Sequence, residues 1–282
     1  MNRRAFLGSC LALAAAAMLS VPASAVTFEP SRISVSVRGT GPDVVLIHGL
    51  AASRGVWGGT VAAVPGYRYH LVQIAGFAGA PVGGNARGSV ASGVADEIAR
   101  YIHANGLKRP AVIGHSMGGT IALMLAARYP DLAGRVMVVD MVPAPARAAG
   151  LSRWIAQPIA RFVGREVVGA DRLRGALQSV VGRFGSANWL ATNSDGGVVG
   201  RSVEELMATD LTPDLPRIRA PLTVVYACPD PLKFTRPRLD RFYAAAYARR
   251  PGTRLVPIAR SGHMIMFDQP AAFRAEVKRF LA

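Results

Sequence analysis

The chain has 282 residues, 51% of them hydrophobic, which is enough to bury the core of one large domain and excludes a disordered segment. Its 33 Lys and Arg against 17 Asp and Glu give a net charge of +16, a balance that suits anionic surfaces or substrates. Nucleic acid is disfavoured as the partner, because no recognisable nucleic-acid module accompanies the charge and no zinc-ligand spacing appears.

The N-terminus reads as a leader. Arg3 and Arg4 precede an uncharged apolar stretch from Ala5 to Val21, and Ala23-Ser24-Ala25 forms an A-x-A cleavage site. Residues 1–25 are therefore expected to be an export signal of the twin-arginine type, with an ordinary secretory signal or an uncleaved anchor as alternatives. Its removal would take Cys10, leave Cys228 as the single cysteine and lower the net charge to +14. The expected product is a periplasmic or secreted protein with no intramolecular disulfide, standing on its core alone.

Ile33 to Arg38 alternates apolar and polar residues as a strand with one wet face does, and Gly39-Thr40-Gly41-Pro42 turns it into Val44-Val45-Leu46-Ile47, apolar throughout like a buried parallel strand. His48-Gly49-Leu50 follows, then Trp57, read as packing. Tyr69 to Ala75 is the next expected strand. Ser89 can cap a helix with Val90, Val94, Ile98 and Ile102 on its buried face and Asp96, Glu97 and Arg100 turned outward.

Val112 to Gly119 then reads Val-Ile-Gly-His-Ser-Met-Gly-Gly, an apolar strand running straight into the small, apolar helix from Thr120 to Ala127. A strand that turns directly into a helix strains the residue at the bend and projects its side chain alone above the sheet edge. Gly114 and Gly118 flank Ser116 because a Cβ at either would strike the crossing strand and helix. The helix N-terminus adds N–H groups and a positive dipole end beside the hydroxyl, which favours an oxyanion there.

With this Gly-x-Ser-x-Gly turn in its strand and helix setting, the chain resembles the α/β-hydrolase superfamily over roughly residues 26 to 282. The resemblance implies an α/β fold, a mostly parallel sheet flanked by helices, with a helical cap inserted after the sixth strand. It also implies that the N–H of Leu50, in the His-Gly-x segment, joins that of Met117 as an oxyanion donor, with His48 structural. Where relatives carry an aspartate and a Gly-x-Gly turn, this chain has Ala75 and Ala78.

Arg135 to Val139 is the next strand, ending at Asp140. From Pro143 to Leu215 the sheet rhythm stops and helical periodicities such as Leu173, Leu177, Val180, Val181 and Phe184 take over. Residues 143–215 are read as the cap and 26–142 with 216–282 as the hydrolase core. Arg147, Arg153, Arg161, Arg165, Arg172, Arg174 and Arg183 stand against only Glu166 and Asp171 in the first part of the cap, as a solvated basic surface or a face toward an anionic substrate or a membrane. Pro221 to Tyr226 restores a buried strand, Thr235 to Arg249 a helix, Arg254 to Ile258 a last strand and Pro270 to Leu281 a closing helix.

Ser116, Asp230 and His263 occur in the order nucleophile, acid, base, each just past a predicted strand, and the resemblance implies that they form a triad. A serine hydroxyl barely ionises at neutral pH, so a neutral imidazole must take its proton, and a buried carboxylate must hold the imidazole's tautomer. Asp230 matches the family's acid in Cys228-Pro229-Asp230, with Ala227 in the place of a glycine; Asp140 is the rival, since some hydrolases take the acid from the preceding strand. His70, His103 and His115 read as structural or surface, and Cys228 as a small buried filler.

The expected activity is cleavage of small-molecule carboxylic esters, anionic or lipidic ones included, through an acyl-enzyme and without metal or organic cofactor. The alternatives left open are an interfacial lipase contacting a membrane surface, a thioesterase or C–C bond hydrolase, and a non-catalytic binding protein on the same fold.

Overall fold

A computed structural model describes residues 29–148, 193–228 and 236–282. The leader with Cys10, the arginines from Arg153 to Arg183, the periodicities of Leu173 to Phe184, and Asp230 lie outside the described residues. Seven strands make one sheet: β1 (Ile33–Arg38), β2 (Asp43–Ile47), β3 (Arg68–Ile74), β4 (Ala111–His115), β5 (Arg135–Val139), β6 (Leu222–Cys228) and β7 (Arg254–Ala259). Their spatial order is β1-β3-β2-β4-β5-β6-β7. β1 runs antiparallel to β3 and all other neighbours are parallel.

The helices are α1 (Gly58–Ala63), α2 (Ala91–Ala104), α3 (Met117–Arg128), α4 (Gly196–Ala208), α5 (Arg236–Ala246) and α6 (Pro270–Leu281). They divide between two hydrophobic clusters. One holds Val94, Ile98 and Ile102 of α2 with α3, Tyr243 and Tyr247; the other holds Trp57, Phe273, Val277 and Phe280. The sheet is thus covered on both faces, as the apolar run Val44 to Ile47 of β2 requires. Trp57 is fully buried against Phe273, ring centroids 6.4 Å apart, which makes it a packing residue as expected. Residues Met117 to Ala127 of α3 are all buried, so this helix lies inside and needs no polar face.

Register sets the site. Ile47 pairs with Gly114, His115 with Val139, and Val139 with Val225, so the loops after β2, β4, β5 and β6 leave from one edge. The expected cap stretch falls between β5 and β6, after the fifth strand rather than the sixth, because the described sheet opens with the antiparallel β1 and has no strand before it. Its described parts are a helical turn at Pro145–Ala148 and α4.

Two residues, Glu97 and Ser89, depart from what the sequence predicts. Glu97 does not turn outward: its fully buried carboxylate accepts from the backbone N–H groups of Arg32 (2.7 Å) and Ile33 (3.1 Å) and from Ser31 Oγ, tying the start of β1 to α2. Ser89 does not cap α2 either. The carboxylate of Glu205, on α4, accepts from the N–H groups of Val90 (2.7 Å), Ala91 (2.8 Å) and Ser92 (2.8 Å). A charge reaching from 113 residues downstream satisfies the donors that an N-cap serine would have met singly. Glu205→Ala strands three N–H groups, and should lower stability by about 2 kcal/mol, with Glu205→Gln losing less. Urea denaturation midpoints measure this; an unchanged midpoint for the alanine variant refutes the capping role.

Candidate active site

Ser116 sits between β4 and α3 at φ 55°, ψ −123°, a backbone conformation that L residues rarely adopt and that costs about 1–3 kcal/mol. Its N–H donates to Val139 O at 2.9 Å, which holds the bend to β5. The flanking glycines are obligatory on both sides. A Cβ on Gly114 would lie 2.0 Å from Gly118 O, and one on Gly118 would lie 2.3 Å from Ile47 O.

The loop after β2 passes directly over this bend. A Cβ on Gly49 would come within 3.0 Å of Ser116 Cβ and 3.1 Å of His115 Nδ1. His48 fixes that loop: its Nε2 accepts the N–H of Ile74 (3.1 Å), so Nδ1 carries the hydrogen and donates to Gly49 O (2.8 Å). Complete burial holds its pKa down at about 4, so the ring is neutral in this role. His48 is therefore structural, as expected. Leu50 follows Gly49 in the loop and Met117 opens α3, so both residues expected as oxyanion donors flank the serine.

The loop after β7 brings His263 to the same edge. His115, the residue before Ser116, bonds His263 O through Nε2 at 2.9 Å, and the two rings lie 4.7 Å apart between centroids. Of the two roles the sequence allowed His115, structural or surface, its full burial against the His263 ring fits the structural one. Burial, followed by the neighbouring His263, pushes its pKa down to about 3, so the ring is neutral, and because a carbonyl oxygen only accepts, Nε2–H is the donor in that bond.

Asp140 completes the cluster from the end of β5. It too has positive φ, 51°, and its N–H continues the ladder to Val225 O at 2.8 Å. Oδ2 receives His263 Nδ1 at 2.7 Å, while Oδ1 receives the N–H of Ala227 at 2.9 Å and the hydroxyl of Tyr243 at 3.1 Å. Burial pushes this carboxyl up, yet the bond to His263, that ring's charge and the Ala227 N–H outweigh it and hold the pKa below the ordinary value. An ionised carboxylate only accepts, so His263 Nδ1 carries the hydrogen and Nε2 is the nitrogen able to take a proton. Arg260, at φ 55° before the His263 loop, joins Ser116 and Asp140 as strained strand ends at one edge.

A family model described as the alpha/beta hydrolase family matches residues 44–276. The chain belongs to the alpha/beta hydrolase family. Among its relatives, the pimeloyl-[acyl-carrier protein] methyl ester esterase of Aeromonas hydrophila is 27% identical over 269 residues, covering 88% of this chain and 99% of that protein. Two solved α/β-hydrolase-like structures superpose well. The esterase from Exiguobacterium antarcticum has a TM-score of 0.70 at 19% identity, covering 89% of this chain and 96% of that one. The enol-lactonase from Burkholderia xenovorans has a TM-score of 0.68 at 20% identity, covering 88% and 96%.

Within this α/β hydrolase, Ser116, His263, Leu50 and Met117 stand at one sheet edge. Asp230 lies outside the described residues, and the carboxylate seated on His263 Nδ1 is that of Asp140, the rival acid. The sequence reading missed Tyr243 and the Ala227 N–H as partners of that carboxylate; nothing in the spacing of either residue signals it. Among the described residues, no group of three or more His, Cys, Asp or Glu is arranged to hold a metal, and no helix is long and apolar enough to cross a membrane.

Proposed function

We propose that this α/β hydrolase cleaves carboxylic esters through an acyl-enzyme, with Ser116 as nucleophile, His263 as general base and acid, and Asp140 as the anchoring carboxylate. The observation that carries the reading is the 2.7 Å bond from His263 Nδ1 to a buried, ionised Asp140 at the edge where the strained Ser116 stands. His263 Nε2 takes the Ser116 proton as Oγ attacks the ester carbonyl; the imidazolium so formed is stabilised by Asp140. The carbonyl oxygen becomes an oxyanion, met by the N–H groups of Leu50 and Met117. The carbon–oxygen bond to the alcohol then breaks, and the alcohol leaves with the proton from Nε2. Water, deprotonated by the same nitrogen, attacks the acyl-serine and releases the carboxylic acid.

The relative from Aeromonas hydrophila is named for hydrolysis of a methyl ester, so small alkyl esters of carboxylic acids are the substrate class proposed here, with an anionic acyl portion suited by the basic chain. We further propose that residues 1–25 export the enzyme and that residues 143–215 form its cap.

A fluorophosphonate probe should label the folded protein at Ser116, as read by mass spectrometry of the tryptic peptide. Labelling should vanish in Ser116→Ala, with turnover of a short activated ester falling about 10⁶-fold. Folded, unlabelled wild-type protein, or label on another residue, refutes the assignment.

A further inference from the structure

We propose that Tyr243 is a positioning residue for ester hydrolysis, its phenolic O–H fixing the plane of the Asp140 carboxylate so that Oδ2 stays aligned on His263. This rests on Asp140 being the acid of the reaction proposed above.

The geometry gives the carboxylate an unusual amount of support. Asp140 is the first residue past the end of β5, so its side chain must cross β6 to reach a histidine that follows β7. Two donors meet it on the way. The Ala227 N–H comes from β6 and the Tyr243 hydroxyl comes from α5, and both act on Oδ1, opposite the oxygen that faces His263. A single backbone donor fixes one point and leaves rotation about the Cβ–Cγ bond soft, since that terminal torsion has broad wells. The second donor, arriving from another element, closes that freedom. A carboxylate whose two oxygens are each held cannot swing off the imidazole as the ring gains and loses charge.

The phenol is itself held. Tyr243 is nearly fully buried and stacks on Tyr226 of β6 at 4.0 Å between centroids, with 18° between the rings. The Tyr226 hydroxyl in turn bonds Asp240, one turn earlier on α5. One turn after Tyr243, the Tyr247 hydroxyl donates to Met141 O at 2.8 Å, the carbonyl next to Asp140. The end of α5 and the turn that follows it therefore deliver two phenols at i and i+4 to two consecutive residues, one to the carboxylate and one to the backbone beside it. Burial, then the Asp140 charge, raises the Tyr243 pKa well above its ordinary value, so the hydroxyl stays a donor throughout the working range. An apolar side chain would fill the same volume. Among the described residues, the oxygen's hydrogen-bond partner is Asp140.

Tyr243→Phe keeps the ring and its stack and deletes the donor. It should lower kcat about tenfold with KM within about twofold, since a hydrogen bond to a charged group is involved and no substrate contact changes. The far-downfield proton resonance of the His263 Nδ1–H···Asp140 bond should move in the same variant. Tyr69→Phe is the control: it deletes an equally buried hydroxyl that donates to Val64 O, far from the site, and should cost stability while leaving kcat and the resonance unchanged. If Tyr243→Phe folds poorly, 3-fluorotyrosine at position 243 keeps the hydroxyl, alters only its donor strength and should still move the resonance. Asp140→Asn, in the same assay, separates the two ideas. Full turnover in Asp140→Asn overturns the choice of acid and this inference with it. An inactive Asp140→Asn beside a Tyr243→Phe with wild-type kcat and an unmoved resonance overturns the positioning role alone.

Discussion

Asp140→Asn is expected to lower kcat on short esters about 10⁴-fold, while Asp230→Asn stays within about threefold of wild type. The size follows from which atoms surround the side chain. Oδ1 receives a backbone N–H from Ala227, a partner that can only donate. An asparagine at 140 must therefore present its carbonyl oxygen to Ala227 and its NH₂ to His263. That amide donates into Nδ1, drives the hydrogen to Nε2, and leaves the nitrogen that should take the Ser116 proton already protonated. The volume and the fold barely change, so the loss should fall on kcat and leave the denaturation midpoint nearly unmoved. Steady-state kinetics of both variants decide the matter; loss of activity in Asp230→Asn with retention in Asp140→Asn would return the role to Asp230.

The second large effect is acid lability well above the range where carboxylates titrate. His48 and His115 are both fully buried, and their pKa values are held at about 4 and about 3. In the unfolded chain each would titrate near its ordinary value of 6.5. A histidine with a depressed folded pKa contributes full stability above the unfolded value and loses it as the pH falls toward the folded one, because the unfolded chain binds the proton first. From pH 7 to 4.5 the two together should remove about 5 kcal/mol, at 1.36 kcal/mol per pH unit for each ring. That is comparable with the whole stability of many domains, about 5–15 kcal/mol. Asp140, whose carboxyl is depressed, adds its own loss only below its unfolded value of 3.8, so the window above pH 4 belongs to the histidines. Urea midpoints should fall steeply between pH 6.5 and 4.5, and His115→Gln, which keeps a donor for His263 O, should flatten that slope by about half. A midpoint independent of pH across this window refutes the account.

Strands and the closing helix were legible because burial on two faces leaves an unbroken apolar run, and Pro270 to Leu281 carries both its start signal and its apolar stripe. The serine bend was legible for the same local reason: two glycines and a serine at a strand–helix junction leave the backbone few other conformations. Features set by distant partners were not. Glu97 and Glu205 look like surface acids on helices, and only the packing of α2 against β1 and α4 turns them into acceptors for backbone N–H groups. The choice between Asp140 and Asp230 is of the same kind. Both follow a strand end, and what the described residues add for Asp140 is its reach across β6 to a loop after β7, a relation that no spacing along the chain encodes. Tyr243 carries even less local signal, being one of two adjacent aromatics in an arginine-rich helix.

The Glu205 clamp bears on how freely such enzymes can be recombined. A cap that merely rests on its core is a portable module, and its graft boundaries can be placed anywhere in the connecting chain. Here α4, inside the stretch between β5 and β6, supplies the terminal charge of a core helix. A chimera that exchanges residues 143–215 wholesale would therefore leave the start of α2 without its acceptor, unless the donor sequence brings an acid of its own to that place. Cutting before Asp195, whose side chain caps α4, and keeping both with the recipient leaves the start of α2 intact.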